Sequence, residues 1–384
     1  MASISIHGDA RYGMSISDQS FFRSPRVVNT NLRHLDVSDY YVTIVKLKEV
    51  LKWCPNLTSL VVAEEGNPNV DKAILARYCP KIRHLCYRRR EPSQGLMGST
   101  AYDWNDDEDR GGDHDDTEMN GISLRRLWIY GTLVQHFMDQ RRLRHLNLKD
   151  DERWGETSQT SICRLIKQNC NTLESLDLSY DAKMLHSILQ SLEPAPNLNS
   201  LRLSFMYDTV SITQDAVQMD QPTMNMLQEI SKLACNHREL MSISLDILAI
   251  RLDSPIIYHV ASVPYLKEIR ITASTIPSST MEILFEKATT LERITLWTSP
   301  LTLTETMFIA LAKLRLRELN LTSAGMQGTT MNATGLQHFI DHHAGPLDKM
   351  IITGNIIPDV GSQCITYGYQ KLGNRFKYDM RLLF

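Results

Sequence analysis

Six-residue runs of the form L-x-x-L-x-L, with other apolar residues allowed at the leucine positions, recur twelve times along this chain. Their first residues are Leu32, Leu57, Ile82, Leu124, Leu143, Leu173, Leu198, Leu240, Leu266, Leu291, Leu316 and Leu347. LRHLDV, LTSLVV, LRHLNL, LESLDL, LNSLRL, LERITL and LRELNL are representative. In each run the later apolar positions alternate with polar ones, which predicts a short strand with one face buried and the other turned outward. Successive runs start 25, 25, 42, 19, 30, 25, 42, 26, 25, 25 and 31 residues apart. The chain between strands must return to its starting edge, and residues 42–54, 161–170, 223–235 and 278–289 carry the apolar period of amphipathic helices. Strand, helix, parallel strand is a right-handed crossover. Repetition of that unit predicts an α/β fold: a right-handed solenoid, shaped as a horseshoe, of about twelve strand–helix repeats with a parallel inner sheet.

This pattern at ~20–29-residue spacing marks leucine-rich repeats. One repeat cannot bury its own apolar face, so each leans on its neighbours. The array is expected to run unbroken over residues 32–352. Residues 1–31 are expected to form an N-terminal cap or remnant segment, and residues 353–384 a C-terminal cap, since Tyr378 to Phe384 are apolar enough to cover the last repeat. Ser279 with Glu282, and Thr302 with Glu305, have the spacing of capping boxes at two helix starts. Cys54, Cys79 and Cys170 each precede the first repeat leucine by three residues. They belong to different repeats, so they are read as small buried side chains at helix ends and not as metal ligands.

The junctions WCPNLTSL, YCPKIRHL and NCNTLESL resemble the cysteine-containing repeats of F-box/leucine-rich-repeat proteins, the divergent fungal ones above all. The resemblance spans residues 32 to about 352. It implies a substrate-recognition or adaptor protein related to ubiquitin ligases, in which an F-box docks on Skp1 of a cullin complex while the repeats hold a substrate. The 31 residues before the first repeat are too few for an F-box and show no helical apolar period, so no recognisable F-box is expected in this chain. The alternatives are a free-standing leucine-rich-repeat scaffold and a GTPase-regulating solenoid that supplies an arginine. The Asn that ends the repeat consensus in ribonuclease-inhibitor-like and Ran-GTPase-activating-like arrays is kept once, as Asn355, which argues against both.

Two spacings of 42 exceed the 25-residue unit by 17, placing insertions at about 99–120 and 205–225. The net charge of −3 hides a strong asymmetry. Asp103 to Glu118 holds nine carboxylates and one Arg. Such a segment reads as a solvated loop dispensable for folding, and its spacing does not fit a calcium loop.

Partner-binding candidates lie at positions three, five and seven of each repeat, on the concave side where solenoids usually bind. Arg88, Arg126, Trp128, Tyr130 and Lys149 form a first group, and Arg270, Arg293 and Trp297 a second, with Glu268 beside it. Arg, Trp and Tyr are the residue types enriched in binding hot spots. Ser175, Ser179, Ser200, Ser204, Ser242 and Ser244 occupy these positions between the two groups. A pI near 6.5 and the lack of aromatic platforms along a basic groove point away from nucleic acid.

No phosphate-binding glycine loop, G-x-S-x-G or H-E-x-x-H occurs, so a binding protein with no cofactor, and not an enzyme, is expected. His338 and His342 stand four apart but have no third ligand nearby in the sequence. Without a signal peptide or an apolar stretch of ~18 residues, the expected location is intracellular, cytoplasmic or nuclear, with no membrane association.

Overall fold

A computed structural model describes residues 2–5, 28–38, 42–63, 72–88, 122–149, 156–192, 195–205, 221–237, 239–252, 254–298, 301–323, 329–343, 345–353 and 358–379. The acidic insertion lies outside these residues, as do 206–220 of the second insertion and the last five residues. The chain forms two compact units, residues 1–146 and 147–384.

In the first unit, strands β1 (Ala2–Ser5), β2 (Leu32–Asp36), β3 (Ser59–Ala63), β4 (His84–Arg88) and β5 (Arg126–Tyr130) pair side by side in sequence order. Every one of these pairings is parallel. Helices α1 (Ile44–Lys52) and α2 (Lys72–Tyr78) carry two of the crossovers. The 19-residue repeat from Leu124 to Leu143 is too short for a full crossover helix, and a 3-10 helix, Gly131–Phe137, takes its place. Strand β6 (His145–Lys149) begins at the end of this unit.

The second unit alternates in the same way. It contains α3 (Glu156–Asn169), β7 (Ser175–Tyr180), α4 (Ala182–Gln190), β8 (Ser200–Phe205), α5 (Gln221–Asn236), β9 (Ser242–Arg251), α6 (Ser254–Ala261), β10 (Glu268–Thr275), α7 (Ser278–Lys287) and β11 (Arg293–Thr298). There follow β12 (Leu301–Leu303), α8 (Glu305–Leu311), β13 (Glu318–Ser323), β14 (Thr329–Met331), α9 (Ala333–His343), β15 (Lys349–Thr353), α10 (Pro358–Leu372) and β16 (Phe376–Asp379). The strand order is β7-β8-β9-β10-β11-β13-β15-β16, parallel throughout, with β12 and β14 forming a small parallel pair apart. Each unit is therefore an alternating β–α solenoid of leucine-rich-repeat type. Each of the twelve L-x-x-L-x-L runs lies on one of these strands and the residues leading into it.

Register explains why the motif works. Neighbouring strands align the same repeat position, as in Leu35 with Leu60, Leu60 with Leu85, and Leu85 with Leu127. The repeat leucines therefore stack into columns, and nearly all are fully buried. The cysteines sit as expected: Cys54, Cys79 and Cys170 are buried. The Cys54 carbonyl accepts both Leu57 N, at 3.1 Å, and Cys79 Sγ, at 3.4 Å, so one repeat's helix end is tied to the next. Burial, reinforced by Cys54, pushes the Cys79 thiol up to about 12.

Three sequence expectations need correction. Ser279 does not cap α7, because the helix starts one residue earlier behind Pro277, which has no side chain able to cap. Thr302 lies inside β12, so the cap of α8 moves to Thr304, whose Oγ1 accepts Met307 N at 3.2 Å. Tyr130, expected to face outward, is buried; the chain turns at once into the 3-10 helix after it.

Candidate functional site

Positions three, five and seven of the repeats form the sheet face opposite the repeat leucines. In residues 1–146 that face is partly buried. Ser59, Val61 and Ala63 on β3 are buried, as is Cys86 on β4. Arg88 reaches from β4 across β3 to β2, where its guanidinium lies 3.8 Å from Asp36 Oδ2 and 3.4 Å from Ser38 Oγ. Asp36 is held in turn by the backbone N–H and hydroxyl of Ser38, at 2.9 and 2.7 Å. Arg88 thus acts as a strap within its own unit. Arg126 and Trp128 remain half-buried on β5, with Trp128 in register beside Cys86.

In residues 147–384 the same face is built differently. Strands β7, β8 and β9 present the serines expected from the sequence, all partly exposed, with charged residues set among them. Asn147 donates through Nδ2 to Asp177 Oδ2 at 2.7 Å, and Arg202 lies 4.0 Å from the same oxygen. Asp177 and Arg202 share position five on paired strands, so their side chains meet across the ladder. Asp246 occupies position seven of β9, beside Ser204. Burial raises its carboxyl above the usual carboxylate range, and the positive charge of Arg202 opposes that rise. A carboxylate, a guanidinium and a second carboxylate therefore lie on a floor of small hydroxyl side chains. Side-chain exposure of 17% for Asp177 and 29% for Arg202 shows how far they are withdrawn from solvent.

The second predicted group continues this strip. Glu268 Oε2 accepts Arg293 Nε at 3.1 Å and its NH2 nitrogen at 3.0 Å. Arg270 is half-buried on β10 between Ser244 and Thr295. Trp297 is half-buried on β11 between Thr272 and Thr322. Arg270, Arg293 and Trp297 thus occupy one face of two adjacent strands. Lys149 is half-buried at the end of β6, where its carbonyl accepts the Tyr180 hydroxyl at 3.5 Å.

The Asp177, Arg202 and Asp246 cluster was not anticipated. Its signal was opposite charge at facing positions of successive repeats, in LESLDLSY, LNSLRLSF and LMSISLDI. Away from this face, an open groove of about 730 Å³ between α3 and α4 is lined by polar residues including Arg164, Lys167 and Lys183. Nothing in it converges as an acid–base pair would. Among the described residues no group of three or more His, Cys, Asp or Glu could hold a metal. His338 and His342 are exposed, and His342 Nδ1 is spent on the His338 carbonyl at 2.8 Å. No described helix is long and apolar enough to cross a membrane.

No protein-family model matches the chain, and no curated protein matches it. Among solved structures it is similar to a chain in the crystal structure of the Rad7 and Elc1 complex in yeast. That likeness has a TM-score of 0.47 and 13% sequence identity, and covers 91% of this chain and 81% of the other.

Proposed function

We propose that the chain is a protein-binding scaffold without catalytic activity, whose partner docks on the open sheet face of residues 147–384. The observation that supports this best is the Asp177–Arg202–Asp246 cluster. Charged groups withdrawn from water bring no packing to the core and cost desolvation energy, so a stability role explains them poorly. Set among serines, they offer a shallow, polar, shape-adaptable surface with directional hydrogen bonds. Arg270, Arg293 and Trp297 extend it with the residue types that anchor interfaces. Replacing Arg202 or Trp297 with Ala should weaken capture of the native partner; Trp297→Ala should leave the melting temperature nearly unchanged, while Arg202→Ala should also lower it, because two withdrawn carboxylates lose their counter-charge. Undiminished capture by both variants would move the site elsewhere.

The finer reading is a substrate-recognition or adaptor protein of the F-box/leucine-rich-repeat type, with Skp1 and cullin among its associates. The cysteine-bearing repeat junctions support it, and Cys54 and Cys79 do tie successive helix ends together. Affinity purification from native cells tests this. Recovery of Skp1 and cullin supports the adaptor. Recovery of partners without them leaves a free-standing scaffold, and recovery of a GTPase whose hydrolysis the chain accelerates supports the regulator.

A further inference from the structure

Among the described residues, Arg202, Arg270 and Arg293 are the arginines on the open sheet face of residues 147–384, and they differ in how their charge is met. Arg202 lies 4.0 Å from Asp177 Oδ2, and its positive charge also acts on Asp246. Arg293 reaches Glu268 Oε2 twice, through Nε at 3.1 Å and Nη2 at 3.0 Å. Arg270 makes no ion pair, hydrogen bond or ring contact with any described residue. It is nonetheless half-buried. A guanidinium partly withdrawn from water loses hydration, and no carboxylate among the described residues offsets that loss here.

The surroundings of Arg270 leave it open to approach. Ser244 of β9 and Thr295 of β11 are in register with it on the neighbouring strands, and Thr272 follows two residues along its own strand. Strand alternation puts all of them on the same side of the sheet as Arg270. Being short, these side chains cannot cover the longer arginine. None of their hydroxyls has a hydrogen-bond partner among the described residues, and all are partly exposed. Trp297 lies one strand over, in register with Thr272. It is half-buried, and its ring and indole N–H are likewise unengaged among the described residues. A guanidinium fork, a set of hydroxyls and an indole N–H thus share one patch of adjacent strands, with no acceptor committed to them.

We propose that Arg270 is the recognition point for a single carboxylate, an Asp or Glu side chain presented by the protein that docks on this face. The inference rests on the open face being the docking surface, and it names the chemistry the partner must bring. A carboxylate fills the guanidinium fork with two parallel bonds, and flanking hydroxyls can donate to its remaining lone pairs. The carboxylates nearest in register limit the charge of the ligand. Glu268 lies two residues before Arg270 on β10, and Asp246 is in register with Thr272. Both repel a phosphoryl dianion more than a single carboxylate, so an acidic side chain fits better than a phosphorylated one. Trp297 supplies an apolar wall that keeps water from the ion pair once the partner is seated, and Arg and Trp in such settings are the usual interface anchors.

Random peptides displayed on phage serve as the probe, selected on the full chain and then re-tested on Arg270→Gln and Trp297→Ala. Arg270→Gln removes a partly buried charge that has no internal partner, so it should fold with an unchanged or slightly raised melting temperature. Peptides that bind the full chain and depend on Trp297 should share an Asp or Glu. Changing that residue to Asn or Gln should weaken binding by about tenfold or more. Arg270→Gln should weaken the original peptide by a similar factor. The two changes together should cost little more than either alone, because both remove one contact. Peptides that depend on Trp297 but ignore Arg270 overturn the proposal and leave the docking face standing. A selection that yields no peptide sensitive to either variant overturns the proposal and the docking reading with it. The proposal also falls if Arg270-dependent peptides carry no essential carboxylate, or if a peptide with phosphoserine in place of the acidic residue binds tighter than the original.

Discussion

Position two of the repeat holds Arg33, Thr58, Arg83, Arg125 and Arg144 in residues 1–146, but Glu174, Asn199, Met241, Lys267, Glu292, Arg317 and Asp348 in residues 147–384. In both, the position-two carbonyl accepts backbone N–H groups of the next repeat, which holds these residues in a column along the strand-entry edge of the sheet. In the second unit, neighbouring repeats are stitched by opposite charges: Lys267 Nζ to Glu292 Oε1 at 3.6 Å, and Arg317 Nε to Asp348 Oδ2 at 2.8 Å. Arg293 with Glu268 adds a third such link one position along. The first unit places arginines at four of these positions, where the second places charges of both signs.

The largest effect tests the premise that the cores are equivalent although the edges are not. Leu60 on β3 and Leu296 on β11 are both fully buried within their leucine columns. Leu60→Ala and Leu296→Ala should each cost about 2–5 kcal/mol, through lost transfer energy and the cavity left behind. Denaturant titration of the two variants checks this. A cost several-fold smaller at Leu60 would mean that the first unit is held by something other than its repeat core.

Next comes the end of the second unit. Gly368 in α10 sits under Phe376 of β16, and a Cβ there would lie 2.8 Å from two ring atoms. Gly368→Ala should cost about 1–3 kcal/mol by overpacking, read as a shift in thermal midpoint. This end also shows where sequence reading ran out. β16 pairs with β15 in repeat register, Met350 with Phe376 and Ile352 with Tyr378. The first motif position is then Gly373, which adopts φ +56, a conformation that leucine would resist. The motif is present in geometry and absent in letters. β1 was missed for a different reason: MASISI does fit the pattern, with Ile4 in register with Leu35, but it stands 31 residues ahead of the next copy. The twelve interior strands were legible because alternation and spacing both report burial. The charged cluster was not, because Asp177, Arg202 and Asp246 are far apart in sequence and become neighbours only once register is known. Tyr130 was misplaced because strand alternation does not show that the chain folds back immediately after it.

A third difference is pH-dependent. His237 and His343 of the second unit are buried, and desolvation pushes both below the usual imidazole range against the pull of their backbone hydrogen bonds. His343 donates from Nε2 to the Leu314 carbonyl at 2.7 Å, while its buried Nδ1 has no hydrogen-bond partner among the described residues. Protonation there would bury an N–H cation without an acceptor. The folded state therefore binds fewer protons than the unfolded chain below about pH 6.5, where free imidazole titrates. This contribution to stability is intact above that value and is lost as pH falls towards the lower folded value. The drop in melting temperature from neutral to mildly acidic pH should be smaller in His343→Gln. An identical drop would remove His343 from the account.

The smallest effect returns to the two edges and turns on a sign. Arg317 and Asp348 are both more than half exposed, so Asp348→Asn should cost only about 0–1 kcal/mol, as exposed pairs generally do. Salt screens an attraction, so that cost should be greatest at low ionic strength and shrink as salt is added. Arg83→Gln should behave oppositely. It removes one of two neighbouring like charges, at the loss of the bond from the Arg83 guanidinium to the Ile82 carbonyl at 3.1 Å. Relief of repulsion is likewise greatest at low salt, so the variant should gain on the parent chain as salt is withdrawn. Melting temperatures of both variants across a salt series read the two slopes directly. Opposite slopes mean that one edge is cohesive and the other carries like charge at an energetic cost. Parallel slopes would mean that the arginine column is neutralised within the free protein, and the contrast between the two edges would vanish.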